Sequence, residues 1–315
     1  MTAPTHSAPA VAAAPVEIVR FAALGDSVTE GVGAPVGSGW RGWPALLAPA
    51  LAADPAQVLH HNLAVSGART ADLVNRQLPA ALAMRPHLVA VVAGGNDTLR
   101  ADFDIARTAA DLDTVLRELA AVGAVLLTAC LPDPGLMLRL PGPLARPLAR
   151  RMAAVNTVVH ELSRRYRAIH LHLAELPWLR DRPLLSADRL HPSPSGHLLI
   201  AREFHARLAA TGHPVGPPPA AVLAPPAPGR WADLWWLATR GTAWVARRSI
   251  DLLPGLLALA ATETVQQLRG RGPELDARAE AAAQAAAQAA VQAAAQAAAR
   301  AVAAGAGPGD ETRAV

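Results

Sequence analysis

The sequence contains no lysine, one cysteine and few aromatic residues, and each scarcity excludes something. The single Cys130 excludes an internal disulfide framework and a cysteine-rich metal site. It ends an apolar run, which indicates a buried structural thiol. Aromatic residues make up 3% of the chain and apolar residues 52%, so alanine, leucine and valine must fill the core. At 315 residues, the chain can bury one sizeable core and still carry a further element.

All 29 basic residues are arginine, and the formal net charge is +4. The absence of lysine fits a codon bias that also favours alanine, proline and glycine. The arginines are scattered along the chain and form no stripe, so the sequence predicts no nucleic-acid partner.

Neither a signal peptide nor a membrane span is predicted. Residues 1–15 have no basic segment followed by a continuous apolar stretch, and three prolines interrupt them, so we interpret them as a disordered tail. The apolar run Ile250–Ala261 is broken by Pro254 and Gly255 and is too short to cross a bilayer. The expected location is the cytoplasm, and monomer is the expected oligomeric state.

Residues 16–212 alternate short apolar runs with amphipathic segments of helical length. The runs are Val16–Leu24, Val58–Ala64, His87–Ala93, Ala124–Cys130 and Ala168–Leu173, and the helical segments are Gly42–Ala53, Thr70–Ala83, Asp104–Val122, Leu144–Arg165 and Ser195–Ala210. This pattern predicts an α/β fold, a three-layer α/β/α sandwich around a mostly parallel, flavodoxin-like five-stranded sheet. A C-terminal helical extension follows it.

Four short motifs rich in glycine and polar residues lie at the ends of predicted strands or before a predicted helix. Gly25-Asp26-Ser27 follows the first strand, Gly67 the second and Gly94-Gly95-Asn96-Asp97 the third, whereas Asp188-Arg189-Leu190-His191 precedes the last helix. Taken singly, Ser27 could be a helix cap, Asn96 part of a turn, Asp188 a loop carboxylate beside an arginine and His191 a surface residue. The carboxyl ends of parallel strands share one sheet edge, where ligands gather.

In this order, the four motifs resemble those of the SGNH (GDSL-type) hydrolase family of serine esterases and lipases, over about residues 18–210. The resemblance implies that Ser27 is the nucleophile, His191 the base and Asp188 the group that orients it. It also implies an oxyanion hole made by the Ser27 and Gly67 main-chain N–H groups and the Asn96 amide. Asp26 and Asp97 are expected to fix their loops.

No cofactor and no metal are predicted. The segment Gly37-Ser38-Gly39-Trp40-Arg41-Gly42 matches a dinucleotide-binding pattern but does not directly follow a strand, and the expected acidic partner is absent. It is interpreted as a loop that places Trp40 and Trp43 near the site mouth. His60, His61, His170 and His172 flank strands without the spacing of a metal site, and we interpret them as structural.

Beyond residue 212 the composition changes twice. We predict a proline-rich linker at 213–229, a Trp/Arg-rich helical extension at 230–270, and an Ala/Gln-rich helix with a disordered end at 271–315. Tight packing of the alanine-rich helix is not expected, since its faces carry nothing larger than valine. The Trp-rich segment has three interpretations: a helical pair packed on the domain, a lid, or a peripheral membrane contact made by its tryptophans and arginines.

The predicted function is hydrolysis of a small-molecule or lipid-like carboxylic ester through an acyl-enzyme. Leu136, Met137, Leu138, Leu140 and Leu144 offer an apolar wall after the fourth strand, suited either to an acyl chain or to local packing. Two alternatives stay open. One is acyl transfer at the same site, and the other is a non-catalytic binding or scaffolding protein with a vestigial triad.

Overall fold

A computed structural model describes residues 18–177, 181–220 and 242–305. Its seven strands are β1 (Val19–Gly25), β2 (Pro35–Val36), β3 (Gly39–Trp40), β4 (Val58–Asn62), β5 (Leu88–Val92), β6 (Val125–Ala129) and β7 (Ile169–Leu171). Five form the main sheet in the order β4-β1-β5-β6-β7, with all neighbours parallel. This flavodoxin-like order confirms the predicted fold class. The main sheet is wholly rather than mostly parallel, and β2 and β3 form a separate antiparallel pair.

Eleven α-helices lie in the described residues. They are α1 (Ser27–Glu30), α2 (Trp43–Leu47), α3 (Thr70–Asp72), α4 (Leu78–Ala83), α5 (Gly95–Thr98), α6 (Ile105–Ala121), α7 (Pro134–Met137), α8 (Gly142–Arg165), α9 (Pro194–Ala210), α10 (Thr242–Leu268) and α11 (Gly272–Gly305). Local sequence sets their starts: the Asp104 side chain accepts the N–H groups of Ala106 and Arg107, and Ser193 caps α9 ahead of Pro194. The predicted helix Thr70–Ala83 is interrupted by a π-helical turn, Leu73–Gln77.

Alternate residues of each strand enter two separate cores. Phe21 and Ala23 of β1 pack towards α2 and α9, whereas Ala22 and Leu24 pack towards α4, α6 and α8. All four are completely buried, so helices cover both faces of the sheet. The sheet therefore forms the middle of three layers, as the succession of apolar runs and amphipathic segments predicts.

Trp43 belongs to the first core and does not lie at the mouth of the site. Its side chain is only 1% exposed, and its ring stacks on Phe204 of α9 with 4.8 Å between centroids. Aromatic pairs of this kind contribute about 0.5–1.5 kcal/mol beyond the area they bury. The prediction that Trp43 lies at the site mouth is therefore wrong, because with few aromatic residues the core uses this one.

The alanine-rich helix packs more closely than its composition suggested. Helix α11 lies against α6 and α8, and α10 also contacts α8. The buried alanines of α11 are Ala283, Ala286, Ala287 and Ala290, which share one face of the helix. Because alanine has only a methyl side chain, the backbone of α11 can approach the backbones of α6 and α8 closely. The expectation of loose packing is wrong, and a layer of helix lies outside α6 and α8.

Several sequence predictions fall outside the described residues. They concern residues 1–15, positions 221–229 of the predicted linker, and Trp231, Trp235 and Trp236 of the Trp-rich segment. Within the described residues, no helix combines the length and hydrophobicity needed to cross a membrane.

Candidate active site

The strand β1 ends at Gly25 and delivers Asp26 and Ser27 to the carboxyl edge of the sheet. Gly25 has φ of +152°, and a Cβ there would overlap the carbonyl oxygen of Val92 on the neighbouring strand. Only glycine fits this close approach. Asp26 then caps α1 by accepting the N–H of Val28 at 3.1 Å, so Ser27 becomes the first helical residue.

Ser27, His191 and Asp188 form one chain of hydrogen bonds. Ser27 Oγ lies 2.8 Å from His191 Nε2, and His191 Nδ1 lies 2.7 Å from Asp188 Oδ2. The His191 side chain is 3% exposed and that of Asp188 10%. With the proton on Nδ1 donated to the carboxylate, Nε2 is the acceptor for the serine hydroxyl. The structure thus joins residues 164 positions apart.

The loop that carries Asp188 and His191 is closed on itself. The other carboxylate oxygen of Asp188 accepts the hydroxyl of Ser186 at 2.6 Å and the N–H groups of Leu190 and His191 at 2.9 and 3.0 Å. The Ser186 N–H donates to the carbonyl of His191 at 2.9 Å, which ties the two ends together. Arg189, within this turn, takes φ of +59°. Three donors to one oxygen leave Asp188 little rotational freedom.

These contacts hold Asp188 ionised. Burial acts to raise its pKa, but the hydrogen bond and charge of His191 and the Ser186 hydroxyl outweigh burial and hold the pKa well below its usual value. The nearby Arg182 donates to the carbonyls of Leu185 and Ser186. The alternative in which Asp188 is merely the ion-pair partner of an arginine is therefore not what its contacts show.

Asn96 links the first three motifs. Its side-chain amide donates to Asp26 Oδ2 at 3.3 Å and to the carbonyl of Ala68 at 3.1 Å. Gly67, directly before Ala68, has φ of +83° in a turn closed by the bond from the Ala68 N–H to the Val65 carbonyl. The structure thus brings Asn96 beside Asp26 and places Gly67 one residue from its other acceptor.

Asp97, next to Asn96, joins its own loop to the segment that follows Gly67. Its buried carboxylate accepts the N–H of Thr70 at 3.2 Å and the Thr70 hydroxyl at 2.9 Å, and Arg69 Nε lies 3.8 Å away. Burial raises the pKa of Asp97, and the bonds from Thr70 and the charge of Arg69 oppose that rise. Asp26 and Asp97 therefore accept loop hydrogen bonds, as their positions suggested.

An apolar pocket opens beside the Ser27 hydroxyl. Its volume is about 80 Å³, and its walls include Leu99, Leu131, Pro134, Met137, Met152 and Leu190, with Ser27, Asn96 and His191 at its polar end. A larger cavity of about 450 Å³ adjoins it and shares Leu131, Pro132, Met137 and Met152. Two methionines therefore separate a small pocket at the nucleophile from a larger space.

Two residues that support the site escaped the sequence reasoning. Gln77 in the π-helical turn bonds both main-chain groups of Gly25, and Ser186 bonds Asp188. The sequence offered a sign of the role of Gln77, because Leu73, Gln77 and Ala81 are spaced four residues apart and lie on one buried face. A buried amide on such a face needs a hydrogen-bond partner. Ser186 stands two residues before Asp188, a spacing at which a hydroxyl reaches a carboxylate.

A separate group of donor side chains lies away from Ser27. Cys130, His160, His170 and His172 place one potential ligand atom each within 4.8 Å of one another. His170 lies within β7, and His172 directly follows that strand, so only His172 flanks a strand as the sequence indicated. The expectation that they lack metal-ligating neighbours is wrong, because those neighbours come from distant parts of the chain.

Comparison with known proteins gives a family and a fold. The model of a family described as the GDSL-like lipase/acylhydrolase family matches residues 23–199. No curated protein matches the sequence. Similar solved structures include a lipase/acylhydrolase from Enterococcus faecalis, 19% identical, covering 65% of this chain and 100% of that one with a TM-score of 0.50. Another is the acetylxylan esterase Axe2 from Geobacillus stearothermophilus, 21% identical, covering 61% and 95% with a TM-score of 0.49. At such identities the likeness concerns the fold alone.

Proposed function

Because the chain belongs to the GDSL-like lipase/acylhydrolase family, it is a carboxylic ester hydrolase, and we propose that it acts through an acyl-enzyme on Ser27. The observation that carries the proposal is the hydrogen-bond chain from Ser27 Oγ to His191, at 2.8 Å, and on to Asp188, at 2.7 Å. A serine hydroxyl attacks an ester only when a base removes its proton. In the proposed mechanism that base is His191, which its hydrogen bond to Asp188 orients.

The proposed reaction has two halves. In the first, Ser27 Oγ bonds to the ester carbonyl carbon while its proton passes to His191 Nε2, and collapse of the tetrahedral intermediate expels the alcohol, which takes that proton. In the second, water gives a proton to His191, attacks the acyl carbon and releases the acid, and Ser27 recovers its proton. Asp188, held ionised, stabilises the imidazolium formed in each half.

The negative oxygen of each intermediate needs donors placed in advance. We assign this role to the Ser27 and Gly67 N–H groups and to Asn96. The Asn96 amide would turn one N–H from Asp26 Oδ2, its longer bond at 3.3 Å, to the oxyanion. Its second bond, to the Ala68 carbonyl, would hold the amide in place during this exchange.

Pocket shape supports a substrate with a short, apolar acyl group. A volume of about 80 Å³ beside Ser27 leaves little room past Met137 and Met152. The adjoining cavity of about 450 Å³ also has Asp133, Asn156 and Glu175 in its walls, which suits a more polar part of a substrate. The proposed substrates are therefore small-molecule esters with short acyl chains.

Labelling and pre-steady-state kinetics test this proposal. A fluorophosphonate should label the wild-type protein on Ser27 and leave Ser27→Ala unlabelled, while p-nitrophenyl acetate should give a burst of one nitrophenol per chain. The control is Ser38→Ala, which alters a serine outside the hydrogen-bond chain. Labelling at another residue, or esterase activity that survives Ser27→Ala, would refute the assignment.

Product analysis separates hydrolysis from acyl transfer. With an acceptor alcohol added, free acid as the main product supports hydrolysis. A new ester as the main product would show instead that the acyl group passes to an alcohol. Both outcomes share the acyl-enzyme, so this comparison tests only its fate.

A further inference from the structure

We propose that Cys130, His160, His170 and His172 bind a zinc ion between α8 and the edge strand β7. Their four potential ligand atoms lie within 4.8 Å of one another. One thiolate with three imidazoles is a donor set that suits Zn²⁺, because both ligand types bind this borderline-soft cation. The proposed site is separate from Ser27 and does not depend on the function proposed for it.

Strand alternation explains why these side chains meet. On β7, Ile169 and Leu171 enter the first core, so His170 and the following His172 face α8 instead. Cys130, directly after β6, extends the row begun by Thr128 on the same face. His160, on α8, lies against the rings of His170 and His172 and is the fourth member of the group.

Ring contacts show how compact the group is. The centroid of the His160 ring lies 4.7 Å from that of His170 and 5.2 Å from that of His172, and His170 and His172 are 4.9 Å apart. Tetrahedral zinc with bonds of about 2.0–2.3 Å holds its ligand atoms about 3.3–3.8 Å apart. Closing from 4.8 Å requires side-chain movements of about 1 Å, and the exposed His160 and His172 have room to make them.

His170 is oriented as a ligand would be. Its Nδ1 lies 3.0 Å from the hydroxyl of Thr128 and 3.2 Å from that of Ser163, and those two hydroxyls are 2.7 Å apart. Its Nε2 is buried and has no hydrogen-bond partner among the described residues. In zinc sites, the nitrogen that does not bind metal usually donates to such a polar group, which fixes the ring. A metal would satisfy the remaining nitrogen.

The local electrostatics fit a cation that displaces protons. Burial, and then the charges of His160, His172 and Arg207, lower the pKa of His170 to about 3. Burial raises the pKa of Cys130, and a bound Zn²⁺ would offset that by stabilising the thiolate. Binding therefore releases the thiol proton to solvent. Glu175, 3.5 Å from His172 Nδ1, adds negative charge at the open side.

Titration of the tag-free, metal-stripped full chain with ZnCl₂ tests the site. Calorimetry should give one Zn²⁺ per chain for the wild type, with the melting temperature rising as zinc is added. His160→Ala changes an exposed residue and should weaken binding about tenfold or more without unfolding the protein. The matched control is His61→Ala, an exposed histidine on β4 at the opposite edge of the sheet.

Cobalt supplies an independent readout of the cysteine. Co²⁺ bound to the wild type should show a thiolate-to-cobalt absorption band in the near ultraviolet, and Cys130→Ser should lose that band. Absence of saturable Zn²⁺ binding by the wild type would overturn the proposal. So would binding that His160→Ala and His170→Ala leave unchanged, because the metal would then lie elsewhere.

Discussion

The side chain of Gln77 forms hydrogen bonds with both the N–H and the carbonyl of Gly25, as the backbone of a neighbouring strand would. Its side-chain oxygen accepts the Gly25 N–H at 2.8 Å, and its side-chain nitrogen donates to the Gly25 carbonyl at 2.9 Å. Both bonds are buried, two residues before the nucleophile proposed above. The π-helical turn that carries Gln77 widens the helix at this point, and such turns are frequent at functional sites.

Removing this clamp should affect catalysis more than binding. In Gln77→Leu, the Gly25 N–H loses its buried side-chain partner, and the Gly25 carbonyl loses Gln77 but keeps the Val65 N–H at 3.2 Å. Ser27 is then positioned less accurately, and we expect kcat to fall about tenfold or more with KM nearly unchanged. Gln77→Glu keeps the acceptor but loses the donor and should be as harmful. Gln284→Leu, on the exposed side of α11, is the control. Steady-state kinetics on a short ester measure the split, and a fall in stability with unchanged kcat would contradict the positioning role.

Ser186 should matter to the rate through Asp188. Asp188→Asn removes the charge that stabilises the His191 imidazolium, so kcat should fall by about 10⁴-fold. Ser186→Ala removes only one of the three donors to Asp188 Oδ1 and should lower kcat by about tenfold, with Ser186→Thr restoring much of it because it keeps the hydroxyl. Stopped-flow kinetics with p-nitrophenyl acetate give these ratios. Equal losses in Ser186→Ala and Asp188→Asn would show that Ser186 does more than orient a carboxylate.

Met137 should set the acyl-chain limit. Its side chain is 5% exposed and lines both the small pocket and the larger cavity, so Met137→Ala joins the two spaces. The ratio of kcat/KM for an octanoyl over an acetyl ester should rise by at least about tenfold, since room for even one further methylene in an apolar pocket is worth about 1–3 kcal/mol. Leu136→Ala, which changes only the larger cavity, is the control. An unchanged ratio would show that the acyl chain lies elsewhere.

His197 should make stability fall in mild acid. Complete burial lowers its pKa to about 4, against an opposing bond to the Val32 carbonyl, and the charge of His191 lowers it further. Between pH 6.5 and 4 the unfolded chain therefore binds a proton that the folded chain does not, so the free energy of unfolding decreases as pH falls through this window.

The contribution of His197 is about 2 kcal/mol between pH 7 and pH 5. In urea unfolding, the free energy of unfolding of His197→Gln should be lower than that of the wild type at pH 7. Its decrease between pH 7 and pH 5 should be smaller than that of the wild type by about 2 kcal/mol. His61→Gln, at an exposed position, should keep the wild-type slope. A slope unchanged in His197→Gln would mean that His197 has the same pKa in the folded and the unfolded chain.

Glu263 should anchor the C-terminal helices. Its side chain is 3% exposed and forms an ion pair with Arg150 of α8, and Gln267 donates to it at 2.8 Å. Glu263→Ala leaves the largely buried Arg150 guanidinium with only the exposed Asp276 as an ion-pair partner and should cost about 3 kcal/mol of unfolding free energy. Arg150→Met with Glu263→Leu should recover most of that loss.

Glu274→Ala provides the surface comparison for this pair. It breaks the exposed pair with Arg278, where both side chains are more than half exposed, and should cost about 0–1 kcal/mol. Equal costs for the Glu263 and Glu274 variants in urea unfolding would mean that the buried pair contributes no more than a surface one.

Sequence reasoning was most successful where chemistry is local. The five apolar runs predicted the five strands because parallel strands covered on both faces are rich in apolar residues. The edge strand β4, with His60, His61 and Asn62, is the least apolar of the five. Ser27, Asn96 and His191 could be proposed as site residues because their motifs follow a strand or precede a helix and, in this order, resemble those of the SGNH family. Their shared edge then follows from parallel topology, before any distance is known.

Sequence reasoning failed where contacts join distant segments. Cys130, His160 and His172 come from three elements, and no spacing between them matches a metal-binding motif. The burial of Ala286 depends on α6 and α8 offering a surface for it, which helix propensity does not describe. Trp43 was misplaced because its loop suggested exposure, whereas the position of α9 decided its burial.

The alanine face of α11 has a consequence for alignment along the helix axis. Glutamine recurs at 284, 288, 292 and 296, so a shift of α11 by four residues presents α6 and α8 with nearly the same surface. Methyl groups alone cannot distinguish these alternatives. The bond from Arg150 to Asp276, at 3.4 Å, disfavours one of them, because Gly272 stands four residues before Asp276, whereas Glu280, four residues after it, would still offer a carboxylate. One arginine on α8 thereby opposes a four-residue shift of α11 in one direction and tolerates it in the other.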